Sequence, residues 1–240
     1  TSHGHPANAK INLDAYQLYM RGQQLLAGFR ATDIDRTVEL FRRATILDPT
    51  FARAYVGLGQ ALMAQMGLLG VESPDLRTKA AKAFDRALEL NPTLGQAWIE
   101  QARLTPDPVK AEPLYRRGLE LAPNYALGYS HYAEFLFNET RVGEAIDMIR
   151  RARDIDPLST ELRLHHAGLL MIESSDVAAH DQLVREALAI DPTLVAALAQ
   201  LAFSRWEFSG ESADAARFME RAIAVDPRSP FIRELGRDIY

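Results

Sequence analysis

A ten-residue pattern that ends in proline occurs six times in this 240-residue chain. Each copy carries apolar residues at helical spacing before its proline, as in "AFDRALELNP" at 83–92. Because proline lacks an N–H and clashes with the preceding turn, each copy predicts the end of a helix. The closing residues are Pro49, Pro92, Pro123, Pro157, Pro192 and Pro227. Their spacing, near 34 residues, predicts a repeat architecture and constrains the fold more than any other feature.

Each repeat is predicted to hold two helices, helix A after a proline and helix B before the next one. The predicted N-cap residues of the A helices are Thr50, Thr93, Asn124, Ser159, Thr193 and Ser229. Helix A carries a small residue at one fixed place: Gly22, Gly59, Ala102, Ala133, Ala167 and Ala202. Helix B carries another five residues before the proline: Ala44, Ala87, Gly118, Ala152, Ala187 and Ala222. Small side chains at fixed places predict close helix pairs.

These residues resemble the tetratricopeptide repeat family, whose pattern is W-x2-L-G-x2-Y, then A-x3-F, then P. "YVGLGQAL" (55–62) fits the first part, and the pairs Ala80/Phe84 and Ala111/Tyr115 fit the second. The resemblance covers about residues 14–240. It implies an all-α, right-handed superhelical solenoid of about six helix pairs with a C-terminal capping helix.

The polar stretch "TSHGHPANAK" (1–10) is unrelated to the repeat and is interpreted as an artificial or disordered leader. Residues 11–240 are predicted to form a single array. The expected repeats 1 to 6 and the capping helix cover approximately 14–49, 50–92, 93–123, 124–157, 158–192, 193–227 and 228–240.

Three repeats depart from the pattern. Repeat 2 is long, and Ser73-Pro74 is expected to start its helix B. In repeat 3, the prolines of "LTPDPV" (104–109) are expected to end helix A early. In repeat 5, Arg163 and His180 stand where a large apolar and a small residue are expected. We therefore expect looser packing in repeats 3 and 5.

Composition excludes several classes of function. The net charge of −5, with both signs mixed along the chain, argues against nucleic-acid binding. The absence of cysteine excludes disulfides and thiolate chemistry. No apolar run is long enough to cross a bilayer. We expect no cofactor, no metal site and no enzymatic activity, in a protein of the cytoplasm.

Only one set of polar residues stands out as an alternative site. Glu100, His131, His165 and Gln200 share one position of helix A in repeats 3 to 6. Stacked helices would place them in one row, which is the arrangement of a pH-sensitive or metal-linked site. Scattered polar contacts are the competing interpretation.

The resemblance implies a protein-interaction module that binds a peptide or protein segment in a concave groove lined by A helices. The groove positions that it implies are Tyr19, Gln23, Arg53, Gln60, Met63, Gln96, Arg103, Ser130, Glu134, Phe137, Leu164, Met171, Phe203 and Trp206. Self-association as a homodimer and small-molecule sensing are the alternative functions.

A narrower resemblance concerns the long second repeat together with "NYALGYSHYAEFL" (124–136) and "DPLSTELRLHHAGLL" (156–170). These features are similar to the C-terminal repeat region of bacterial signalling proteins that carry a class III adenylate cyclase or a winged-helix regulator. That resemblance implies a regulatory part of a larger protein.

Overall fold

The computed structural model describes residues 12–28, 32–69 and 73–226, and these residues contain twelve α-helices and no strand. The predicted leader (1–10) and capping helix (228–240) lie outside them. The chain divides into two compact units, an N-terminal unit of residues 1–123 and a C-terminal unit of residues 124–240. The prediction of one continuous array stays a prediction.

The N-terminal unit contains three helix pairs. Its helices are α1 (Leu13–Gly28), α2 (Ile34–Leu47), α3 (Ala52–Leu69), α4 (Pro74–Leu90), α5 (Gly95–Leu104) and α6 (Pro108–Leu121). Each odd-numbered helix packs on the even-numbered helix that follows it, and each pair packs on the next one. The odd helices also contact one another, α1 with α3 and α3 with α5. The predicted A and B helices are therefore confirmed here.

The C-terminal unit repeats the same plan. Its helices are α7 (Ala126–Asn138), α8 (Val142–Ile155), α9 (Thr160–Ser174), α10 (Val177–Ile190), α11 (Val195–Glu207) and α12 (Ser212–Val225). Within it, α8 packs on α9 and α10 packs on α11, in addition to the contacts inside each pair. Every helix therefore packs mainly on its neighbours in the sequence.

The predicted small positions are the places where helices approach most closely. The B-helix set, Ala44, Ala87, Gly118, Ala152, Ala187 and Ala222, is buried throughout. In helix A of repeat 2, a Cβ atom added to Gly59 would lie 2.3 Å from Cε1 of Phe84. The fully buried Phe84 ring therefore occupies the space that a side chain at position 59 would need.

The turns after the prolines differ from the prediction. Thr93 was expected to cap α5, but the N-cap is Leu94, whose side chain makes no cap hydrogen bond. Instead, the backbone N–H and hydroxyl of Thr93 donate to Oδ1 of Asn91, at 3.0 and 2.8 Å. Asp48–Thr50 and Asp191–Thr193 form the same turn. The Asp or Asn before the proline thus organises these turns.

Two predicted helix starts are confirmed. Oγ of Ser73 accepts a hydrogen bond from the backbone N–H of Leu76, and Pro74 is the first residue of α4. Oγ of Ser159 likewise accepts from the backbone N–H of Leu162. Asn124 and Thr193 are not N-caps; Tyr125 and Leu194 take those places.

Candidate functional site

The fourteen predicted groove residues lie on the odd-numbered helices, but their exposure differs. Arg53, Glu134 and Phe203 are exposed, and Ser130 is buried. The half-buried members are Tyr19, Gln23, Gln60, Met63, Gln96, Arg103, Phe137, Leu164, Met171 and Trp206. Met63 and Leu164 pack against buried core clusters. Their assignment to a binding surface stays a prediction.

In the N-terminal unit, two of these residues hold a buried carboxylate. Glu100 on α5 is 1% exposed. Its Oε1 accepts from Nε2 of Gln60 on α3 at 2.8 Å, and its Oε2 accepts from Arg103 at 2.7 Å. Since a buried carboxylate needs compensating donors, Gln60 and Arg103 have a structural task. In this part of the unit, the surface formed by the A helices is therefore polar, and its polar side chains pair with one another.

Aromatic rings pack at the start of the same unit. The Tyr19 ring lies 5.9 Å from that of Phe41 and 5.1 Å from that of Phe51. Burial raises the pKa of Tyr19 above its ordinary value, and the charge of Arg53 opposes that rise. The Tyr19 ring is therefore half-buried: part of it packs near Phe41 and Phe51, and the rest is exposed at the surface.

In the C-terminal unit, α11 carries an aromatic cluster, defined as Phe203, Trp206 and Phe208. The Phe203 ring lies 6.3 Å from Trp206 and 5.8 Å from Phe208. Phe203 is 39% exposed and Phe208 is 49% exposed. Phe137 on α7 and Met171 on α9 occupy the repeat position that Trp206 occupies on α11. This A-helix surface is predominantly apolar where the N-terminal one is polar.

Two members of the proposed row of polar residues have separate hydrogen-bond partners. Glu100 binds Gln60 and Arg103, whereas Nδ1 of His165 lies 3.2 Å from Oγ of Ser130. Burial lowers the pKa of His165, so its imidazole is neutral near pH 7. Within residues 12–28, 32–69 and 73–226, no three His, Asp or Glu side chains are grouped to hold a metal ion.

Sequence reasoning missed a buried carboxylate in repeat 5. Asp181 on α10 accepts from Oγ of Ser204 at 2.6 Å, from Arg185 at 3.3 Å and from Arg205. Nδ1 of His180 lies 3.1 Å from it and donates, because the ionised carboxylate only accepts. His180 is thus a buried hydrogen-bond donor at a position where the other repeats carry small residues.

A second polar cluster, also missed, lies where α8 meets α9. Nη1 of Arg153 lies 2.8 Å from Nδ1 of His166, and Arg153 and Arg163 both approach Glu186. Arg163 also donates to the backbone carbonyls of Pro157 and Ser159. The sequence did carry a signal for this cluster. Residues 153, 163 and 166 are all polar, whereas the equivalent positions of the other repeats are mostly apolar.

No helix in the part of the chain that the structure describes has both the length and the apolarity of a membrane span. The sequence matches no family model, and no curated protein sequence matches it either.

Solved structures, in contrast, share the architecture. PilW, a type IV pilus biogenesis factor, superimposes with a TM-score of 0.68 at 16% identity, over 95% of this chain and 99% of PilW. Human IFIT1, solved as a dimer with m7Gppp-AAAA, gives a TM-score of 0.73 at 17% identity, over 94% of this chain and 52% of IFIT1. YrrB, described as a TPR protein with an unusual peptide-binding site, gives a TM-score of 0.53 at 15% identity, over 83% of this chain and 99% of YrrB.

The chain has a tetratricopeptide-like helical repeat fold. The predicted fold class is confirmed by the helix pairs and by these likenesses. The chain spans about half the length of IFIT1. At these identities the likeness concerns the fold, and function rests on the surfaces of the chain itself.

Proposed function

We propose that this chain is a non-catalytic interaction module that binds a peptide or protein segment on its A-helix surface, with apolar anchors in the C-terminal unit. The observation that carries the proposal is the partly exposed aromatic cluster of α11. Large rings left at a surface lose solvent-exposed apolar area when a partner covers them, and Trp is the residue type most enriched at binding hot spots.

Side chains on the other A helices of this unit support an amphipathic ligand. Phe137 and Met171 are half-buried at the equivalent positions of α7 and α9, so each A helix of the unit offers one large apolar side chain. The exposed carboxylate of Glu134 on α7 adds a negative charge, which favours a ligand with a basic residue beside its apolar ones. YrrB, a TPR protein with an unusual peptide-binding site, has a similar fold, and this likeness supports the proposal.

The proposal also covers the larger protein and the cellular compartment to which this chain belongs. The sequence resemblance to bacterial signalling proteins supports a regulatory role within a larger protein, in the cytoplasm and without binding nucleic acid. No observation in the described residues favours catalysis over binding.

The experiment selects peptides from a displayed library on the purified chain and then measures their affinity for two tryptophan variants. We expect Trp206→Ala to weaken binding by about tenfold or more. Trp98→Ala is the matched control, since Nε1 of Trp98 donates to the carbonyl of Pro92 and serves a turn. Trp98→Ala should lower the melting temperature and leave the affinity of the folded fraction unchanged.

Two results would contradict the proposal. Equal affinity of a stable Trp206→Ala variant would remove the anchor role of the cluster. A large loss of melting temperature in Trp206→Ala would make the indole a core residue instead. Light scattering over a range of concentrations tests self-association, because a dimer that dissociates in Trp206→Ala would identify a second copy as the partner.

A further inference from the structure

A cavity of about 400 Å³ lies beside the junction of α8 and α9, and arginine dominates its lining. The lining residues are Arg150, Arg153, Asp154, Pro157 and Arg163. Its volume falls in the range of small-molecule pockets, about 300–1,000 Å³. Its lining residues belong to α8, to α9 and to the turn between them, and the aromatic cluster of α11 is not among them. Three guanidinium groups and one carboxylate therefore line the cavity.

The acceptors around the cavity do not satisfy its donors. Glu186 is shared between Arg153 and Arg163, at 3.5 and 3.6 Å. The buried Nε groups of both arginines have no hydrogen-bond partner. Arg150 pairs with Asp147, at 3.4 Å and in an exposed position. Burial is the main cause that lowers the pKa of Arg153; the charge of Glu186 opposes it and the charge of Arg163 adds to it.

The buried His166 adds a further donor to this group. Arg153 cannot accept a hydrogen bond, so Nδ1 of His166 must be the acceptor in their 2.8 Å contact. The neutral imidazole then carries its proton on Nε2, and that buried atom has no partner. Burial and the charges of Arg153 and Arg150 lower the pKa of His166 to about 4, which keeps the ring neutral near pH 7. Every unsatisfied group of the cluster formed by residues 153, 163 and 166 is therefore a donor.

We propose that this cavity binds the phosphate group of a small molecule, held by Arg150, Arg153 and Arg163. Guanidinium groups recognise phosphate through paired N–H donors, and they remain charged at every physiological pH. The three arginines come from two helices, so they approach the cavity from different directions. Donors from several directions suit a tetrahedral phosphate group, which has three acceptor oxygens. A planar carboxylate suits them less well, because the paired N–H groups of a single guanidinium already satisfy it. The proposal is independent of the peptide surface on α11.

The repeat itself supplies a variant that should fold but not bind. Trp98 occupies the repeat position of Arg163, and its Nε1 donates to the carbonyl of Pro92 as Arg163 donates to that of Pro157. Arg163→Trp can therefore keep this hydrogen bond while it removes a cation and fills the cavity. A second variant, Arg150→Ala, removes a side chain that is 59% exposed and is outside the helix core.

The test is a calorimetric titration of the full chain with inorganic phosphate, against chloride at matched ionic strength. We expect saturable binding of one phosphate, a rise in melting temperature with phosphate concentration, and a loss of affinity of at least about tenfold in Arg163→Trp. Arg150→Ala should weaken binding by about threefold or more. Arg42→Ala is the matched control, because Arg42 is 53% exposed and pairs with Glu39 three residues earlier, as Arg150 pairs with Asp147.

Three results would overturn the proposal. The first is the absence of saturable binding of phosphate by the unsubstituted chain. The second is unchanged phosphate affinity in Arg163→Trp, once its helical signal shows that it is folded. The third is an equal loss of affinity in Arg150→Ala and Arg42→Ala, since that equality would indicate general screening of surface charge. If Arg163→Trp does not fold, the comparison of Arg150→Ala with Arg42→Ala still decides.

Discussion

Trp98 in the N-terminal unit and Arg163 in the C-terminal unit occupy the same position of their repeats, but their surroundings differ. Both donate to the carbonyl of the proline that closed the preceding repeat, Pro92 or Pro157. The indole of Trp98 is half-buried beside a turn, whereas the guanidinium of Arg163 lines a charged cavity. Two of the repeats therefore make the same hydrogen bond with different side chains.

The same contrast extends through the two units. In the N-terminal unit, glycine and aromatic rings interlock, as Gly59 and Phe84 do. The C-terminal unit contains, in addition to its apolar contacts, two buried polar clusters, around Asp181 and around His166. We therefore expect the N-terminal unit to respond to changes of side-chain volume, and the C-terminal unit to respond to changes of charge and pH.

The largest effect is expected for Asp181→Ala. The carboxylate is the common acceptor of Ser204, Arg205 and Arg185, so its removal leaves the largely buried cation of Arg205 without this partner. Breaking a buried ion pair costs about 3–5 kcal/mol, and we expect a loss of unfolding free energy near the lower end of that range. Urea unfolding followed by circular dichroism measures it.

Asp147→Ala is the control for that prediction. Asp147 pairs with Arg150 three residues later, and both side chains are more than half exposed. Exposed pairs of this kind contribute about 0–1 kcal/mol. Similar losses in the two variants would show that the cluster around Asp181 does not stabilise the unit.

The second effect tests volume in the N-terminal unit through Gly118→Ala. The added Cβ atom would lie 2.5 Å from Cγ1 of Ile99 and 2.8 Å from the carbonyl oxygen of Gly95. Because a backbone atom of α5 must move, overpacking should cost about 1–3 kcal/mol, despite the better helix propensity of alanine. The midpoint of urea unfolding reports it, and an unchanged midpoint would contradict the close contact of α5 and α6.

The third prediction concerns pH and the C-terminal unit. The pKa of His166 is about 4 in the folded chain and 6.5 in an unfolded one, so only the unfolded chain gains this proton between those values. Stability should therefore fall as the pH decreases from about 6.5 towards about 4, and the lowered pKa of His165 acts in the same direction. Urea midpoints at about pH 7.5 and about pH 5 measure the change.

His166→Leu provides the comparison for the pH series. Leucine restores the residue that repeats 2 and 6 carry at this position, in Leu58 and Leu201. It removes the titrating group together with its unsatisfied buried donor. The decrease in midpoint between the two pH values should become smaller, and an equal decrease would assign the effect to other groups.

The smallest effect has the opposite sign. Nothing lies within 4 Å of the position that a Cβ atom of Gly168 would occupy, and Gly168 is inside α9. Gly168→Ala should therefore stabilise the chain by about 0.5–1 kcal/mol, since alanine loses less backbone entropy in a helix. Destabilisation by Gly168→Ala, measured as a lower melting temperature, would contradict the contrast with Gly118.

The helix pairs were predictable because their signal recurs. Six copies of a small residue five places before a proline identify the contact of helix B, and all six residues are buried. The turns were less predictable, because Thr93 follows a proline as an N-cap does but instead binds Asn91. Thr and Asn are both common in turns, and the sequence alone does not show which of their competing hydrogen bonds forms.

The polar clusters were not predictable residue by residue. His180 and Arg163 stood out only as departures from the repeat, and they predicted loose packing. The structure instead shows them buried or nearly so, with named hydrogen-bond partners. Those partners lie on other helices, so recognising them requires the three-dimensional contact of α8, α9 and α10. The cavity beside Arg163 is one place where the expected loose packing of repeat 5 is found.

The order of packing also bears on how fast the chain folds. In each unit a helix contacts mainly the helices just before and after it, so most contacts join residues close in the sequence. Closing such short loops costs little chain entropy, and helical proteins dominated by local contacts fold in microseconds to milliseconds. Folding can begin at any pair and spread to its neighbours. A variant such as Asp181→Ala should therefore change how far folding spreads from α10 to α11, rather than whether it starts.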